Sequence, residues 1–142
     1  MKTKYTIEDI DKIADEIRSR ITLQPEIAMI LGSGLGALSE AIEDPVVIPY
    51  HDLPGWPIST VEGHAGELVI GSLEGKVVLV MNGRIHYYEG YEMSQVTMPI
   101  RVMQRLEIDI LLVTNAAGGI NQDFIPGNPM LITDHLNFLG MA

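Results

Sequence analysis

The chain has 142 residues and a formal net charge of −10, from nine basic and nineteen acidic side chains. That length suits one domain, and the acidic balance excludes the basic footprint a nucleic-acid partner needs. There is no cysteine, so disulfide and thiolate chemistry are both excluded, and the composition fits a reducing cytoplasm.

Residues 6–21 predict a helix, with Ile7, Ile10, Ile13, Ala14, Ile17 and Ile21 on one face. Thr6, three residues before Asp9, has the spacing of a capping box with the shorter carboxylate. No signal-peptide core follows Met1, and the apolar runs are far too short to span a bilayer, so no membrane partner is expected. Residues 26–31 predict a strand, followed by a glycine turn and a short helix to about Glu43. Val46–Tyr50 reads as a second strand, and 51–66 as a loop punctuated by Pro54, Gly55, Pro57, Gly63 and Gly66.

Glu67–Leu73 and Lys76–Asn82, joined by Glu74-Gly75, predict a hairpin. Its second arm lacks alternation and is expected to be buried on both faces. A polar, aromatic loop runs from Gly83 to Tyr91. Ser94–Leu106 predicts a helix in which Pro99 forces either a kink or a later start near Thr97. Asp109–Thr114 is a wholly apolar strand, Asn115–Gly119 a second small-residue turn, and 130–133 a last expected strand. Strands alternate with helices and small-residue turns follow strand ends. The expected fold is therefore α/β, a mixed β-sheet flanked by helices, with ligands outside the carboxyl ends of the strands.

Gly32-Ser33-Gly34-Leu35-Gly36 lies between an apolar strand and a helix start. Glycines let main chain approach an anion closely, and a helix N-terminus supplies N–H donors. A phosphate is the expected ligand, against the plainer reading of a tight turn with no ligand. A dinucleotide reading competes, because Gly32, Gly34 and Ala37 also satisfy G-x-G-x-x-G/A and Asp52 lies twenty residues on. Against it, Asp52 sits in an irregular loop rather than at a clean strand end.

Arg84 and His86 follow the buried hairpin arm at i and i+2, so extended backbone projects them to one side. A guanidinium matches phosphate oxygens, the imidazole adds a bond, Glu89 can orient that imidazole, and Tyr88 offers a flat face suited to a sugar. The alternative is a solvated loop with stacked aromatics. His64, between Gly63 and Ala65-Gly66, either closes over the anion or is an ordinary loop histidine. After the last apolar strand, the Ala116 N–H can reach the same anion, and small residues let a flat ligand lie on the backbone. The competing reading there is close helix–strand packing. No spacing resembles a metal site.

Taken in order, these motifs resemble the trimeric purine nucleoside phosphorylases. The resemblance rests on Gly32–Gly36, Gly63-His64, Gly83-Arg84, His86, Tyr88-Glu89-Gly90-Tyr91, Val96-Thr97, Pro99-Ile100-Arg101 and Thr114–Gly119, and runs from about residue 25 to the end. It implies a nucleoside phosphorylase-like fold, of which residues 1–142 form the N-terminal half of a single domain. It implies reversible phosphorolysis of purine nucleosides, a pentosyl transfer, by a cytoplasmic homotrimer that needs no cofactor and uses inorganic phosphate as co-substrate.

The resemblance assigns phosphate to Ser33, His64, Arg84, His86 and Ala116, and ribose to Tyr88 and His86. The base falls to Ala116, Ala117 and Gly118, and His86 is the catalytic candidate. It places the Glu and Asn that hold the purine, a sugar-contacting Met and an aromatic lent by a neighbouring subunit in sequence beyond Ala142. A complementing C-terminal polypeptide is a further expected partner, and a half-sheet is expected to carry an exposed edge. The alternatives are methylthioadenosine phosphorylase of the same family, a catalytically incomplete phosphate- or nucleoside-binding fragment, and a dinucleotide-binding oxidoreductase domain.

Overall fold

A computed structural model describes residues 4–32, 34–58, 65–138 and 140. Its centre is a five-stranded mixed sheet in the order β2-β3-β4-β1-β5. The strands are β1 (Ile27–Ile30), β2 (Glu43–Pro49), β3 (Glu67–Leu73), β4 (Lys76–Asn82) and β5 (Ile110–Val113). β2, β3 and β4 form an antiparallel meander, whereas β1 lies parallel to both β4 and β5.

Helix α1 (Ile7–Arg20) starts at the expected capping box: the Thr6 hydroxyl accepts from the Asp9 N–H at 3.2 Å, and the Asp9 carboxylate accepts from the Thr6 N–H at 2.8 Å. Ile10, Ile13, Ala14 and Ile17 turn into the core, while Ile7 at the helix tip stays exposed. They pack with Met98, Val102 and Met103 of α4 (Met98–Arg105) and with Leu68, Ile70, Leu79 and Met81 of the sheet. On the opposite face Val69, Val78 and Val80 pack with Leu31 and Ile42, so β4 is apolar throughout because both its faces are covered.

Pro99 resolves in favour of a later helix start. α3 (Met93–Val96) is one turn, Thr97 breaks the run, and Pro99 falls in the first turn of α4, where its missing N–H costs nothing. The short helix α2 (Ala37–Glu40) stops before Glu43, where β2 already begins, with Asp44 in the left-handed region at φ 47° and a register shift between Glu43 and Val46.

One departure concerns the end of the chain. Residues 130–133 form no strand and are exposed. β5 is apolar yet exposed along its whole length, from 40% at Leu111 to 59% at Val113, because among the described residues it is an edge strand paired only with β1. An exposed apolar edge is therefore present at β5. No helix among the described residues is long and apolar enough to cross a membrane.

Candidate functional site

β4, β1 and β5 are adjacent and parallel, so their carboxyl ends emerge side by side. Each end carries one of the singled-out segments: Gly83–Gly90 after β4, Gly32–Gly36 after β1 and Thr114–Gly119 after β5. This is the position at which open α/β sheets take ligands.

The glycine turn is tied to the end of β5. The Gly32 N–H donates to Thr114 Oγ1 at 2.8 Å, and that hydroxyl donates to the Ile30 carbonyl at 3.1 Å. A methyl group on Gly32 would lie 2.7 Å from the Thr114 carbonyl oxygen, so the close approach requires glycine. Gly34 adopts φ +87°, a second position that suits glycine. One expectation needs correction. α2 is a single turn, and its Leu38 and Ser39 amides already donate to Leu35 and Gly36 carbonyls at 3.0 Å. A turn this short has little macrodipole, so any anion there would rely on the main chain of the bend itself. Ser33 and His64 lie outside the described residues.

After β4 the chain turns at Gly83, at φ 111°. The buried Tyr50 fixes this turn by donating its hydroxyl to the Gly83 carbonyl at 2.6 Å. Burial pushes the Tyr50 phenol well above its ordinary pKa, and the nearby Glu67 charge adds to this, so it remains a neutral donor. Arg84 then reaches back across the sheet end. Its Nη1 donates to the Thr114 carbonyl at 2.6 Å and its Nε donates to His86 Nε2 at 3.3 Å. Arg84 and His86 thus share one side, as their spacing predicts.

The His86 ring is held from behind. Glu89, whose side chain is 3% exposed, accepts from the His86 main-chain N–H at 2.7 Å and sits 2.9 Å from Nδ1. Because the Arg84 Nε–H can only donate, Nε2 accepts and the ring proton resides on Nδ1, directed at Glu89. Tyr88 stacks on the imidazole with ring centroids 4.7 Å apart and planes 17° apart, its outer face open to solvent.

Ala116, Ala117 and Gly118 lie exposed just past Thr114, and a methyl on Gly118 would meet nothing within 4 Å. A groove of about 330 Å³ opens beside them, lined by Arg84, Ile85, Thr97, Ile100, Val113 and Asn115 among others. Arg84, His86, Glu89, Tyr88, Gly32 and Thr114 are thus brought together at one sheet end. Asp52 is not among them. It follows β2, three strand spacings from β1 (roughly 14 Å at about 4.8 Å each), and pairs with Arg20 at 3.2 Å. A ribose-binding acid would have to stand beside the glycine turn, and Asp52 does not. Among the described residues no group of His, Asp or Glu could hold a metal ion. Sequence reasoning missed the bridging part of Thr114 and the anchoring part of Tyr50. The signal for the first is a threonine directly after an apolar strand.

Residues 26–142 match the family model described as the phosphorylase superfamily. The chain belongs to that superfamily. Among curated members, "Purine nucleoside phosphorylase 1" of Bacillus subtilis (strain 168) is 54% identical over 131 residues, which cover 92% of this chain and 48% of the relative. A solved purine nucleoside phosphorylase in complex with ribose 1-phosphate superposes with a TM-score of 0.78 at 45% identity, over 85% of this chain and 44% of that one. The Schistosoma mansoni purine nucleoside phosphorylase in complex with inosine gives a TM-score of 0.78 at 43% identity, over 86% and 42%. The chain thus spans about half the length of the relatives it matches.

Proposed function

We propose that this chain supplies the N-terminal portion of a single purine nucleoside phosphorylase domain. The enzyme transfers the pentosyl group of a purine (deoxy)ribonucleoside to inorganic phosphate, reversibly, giving free base and (deoxy)ribose 1-phosphate. The supporting observation is the double use of Thr114, which joins the glycine turn through its hydroxyl and Arg84 through its carbonyl. The glycine turn, a guanidinium and an imidazole thereby converge at one sheet end.

In this reading Ser33, His64, Arg84, His86 and the Ala116 N–H hold phosphate. Tyr88 and His86 meet the ribose, and Ala116, Ala117 and Gly118 border the base. The C1′–N9 bond breaks with its electron pair leaving on the purine, the sugar becomes oxocarbenium-like, and a phosphate oxygen then bonds to C1′. A phosphate fixed beneath the sugar stabilises that cation and is already placed to capture it, so positioning and electrostatics supply the gain without a covalent enzyme intermediate. A proton on His86 Nε2 converts that nitrogen from the acceptor of Arg84 into a donor to phosphate, with Glu89 balancing the charge. The working unit is a cytoplasmic homotrimer with inorganic phosphate as its co-substrate.

The test supplies inosine to the full-length protein with and without phosphate. Hypoxanthine release is expected only with phosphate, matched mole for mole by ribose 1-phosphate; release without phosphate refutes the reading. A second expectation concerns the counter-charge. Glu89→Gln keeps an acceptor for His86 but removes the negative charge, so the phosphate KM should rise roughly tenfold, the difference between a charge-assisted and a neutral hydrogen bond. An unchanged phosphate KM in that variant would mean that Glu89 serves shape alone.

A further inference from the structure

We propose that Thr114 is a positioning residue whose hydroxyl frees its own carbonyl to hold Arg84; this rests on the phosphate site proposed above. The argument comes from the β1–β5 ladder. Ile30 pairs with Val113 in parallel register, and the Thr114 N–H donates to the Ile30 carbonyl at 3.1 Å. In a parallel ladder the next bond in this series runs from the Gly32 N–H to the Thr114 carbonyl. That bond is replaced. The Gly32 N–H goes to Thr114 Oγ1 at 2.8 Å, although the two segments are close enough that a Gly32 methyl would sit 2.7 Å from the carbonyl oxygen. The carbonyl is instead occupied by Arg84 Nη1 at 2.6 Å. A side-chain oxygen has taken over a main-chain acceptor's duty, and the released acceptor fixes the guanidinium. Gly32 and Arg84, on loops from different strands, are thereby set at one spacing by a single residue.

Thr114→Val keeps the shape and removes the substitute acceptor. The Gly32 N–H then reclaims the carbonyl and competes with Arg84 for it. Measured on the full-length protein with inorganic phosphate and inosine, the phosphate KM should rise roughly tenfold, the scale of one charge-assisted bond, while the nucleoside KM stays within about twofold. Thr114→Ser, which restores the oxygen, should recover most of the loss. In an Arg84→Ala background the Thr114→Val change should add nothing further, because its action runs through Arg84. If the valine variant fails to fold, Thr114→Ala, with its smaller side chain, carries the same comparison.

Three results overturn the inference while leaving the phosphate site intact: a phosphate KM within about twofold of the parent, a serine variant as impaired as the valine one, or effects that multiply with Arg84→Ala. An Arg84→Ala variant with a normal phosphate KM overturns the site itself and this inference with it.

Discussion

Arg84→Ala should raise the phosphate KM of phosphorolysis roughly 10–150-fold, the span of one charge-assisted hydrogen bond at about 1.5–3 kcal/mol. Two of its N–H groups are committed to the Thr114 carbonyl and to His86 Nε2. A guanidinium has five such donors, so it can keep the Thr114 tie, release His86 Nε2 and still present a fork to an anion. The chain is strongly acidic, with a net charge of −10. A local cation must therefore offset a general field that repels phosphate, which makes this one costly to lose. Arg84→Lys should fall between, since lysine keeps the charge but not the planar fork. The nucleoside KM should change little in both. Initial rates across a phosphate series decide the matter. A phosphate dependence in the alanine variant equal to the parent's would mean that Arg84 only staples the loop to β5.

Most of the fold was legible because it depends on short-range patterns. The hairpin limits Glu67–Leu73 and Lys76–Asn82 follow from a Glu-Gly turn between apolar runs, and α1 from its isoleucine face and Thr6–Asp9 cap. The pairing of Arg84 with His86, and of His86 with Glu89, follows from i, i+2 and i, i+3 geometry. What remained hidden depends on long-range pairing. Nothing in Met130–Thr133 reveals that this apolar run stays unpaired. The exposure of β5 is set by its position in the strand order, whereas its composition alone reads as core. Thr114 and Tyr50 act across separations of 82 and 33 residues, on Gly32 and Gly83 respectively. No local motif names the distant partner of either residue. The short α2 was also beyond the pattern, since a helix start looks the same whether one turn follows or three.

Gly32→Ala is the second large effect expected, and its interest lies in a comparison. The added methyl would sit 2.7 Å from the Thr114 carbonyl oxygen and 3.2 Å from Asn115 Cα. Both are main-chain atoms, so no rotamer change relieves the clash, and the ends of β1 and β5 must separate. Overpacking of this kind costs about 1–3 kcal/mol in stability. The same displacement lengthens the Gly32–Thr114 bond and shifts the carbonyl that holds Arg84, so the phosphate KM should rise by at least about tenfold as well.

Gly71→Ala serves as the control. Its methyl would meet the Glu43 carbonyl oxygen at 2.5 Å and Ile42 Cγ2 at 2.6 Å, at the irregular start of β2. It should cost similar stability, about 1–3 kcal/mol. β3 is separated from β1 by β4, however, and the crowded end of Gly71 lies away from the phosphate cradle. Its phosphate KM should therefore stay at the parental value. Thermal unfolding and phosphate kinetics on the two variants separate packing from function. Equal losses of stability with a normal phosphate KM in both would reduce the Gly32–Thr114 approach to ordinary close packing.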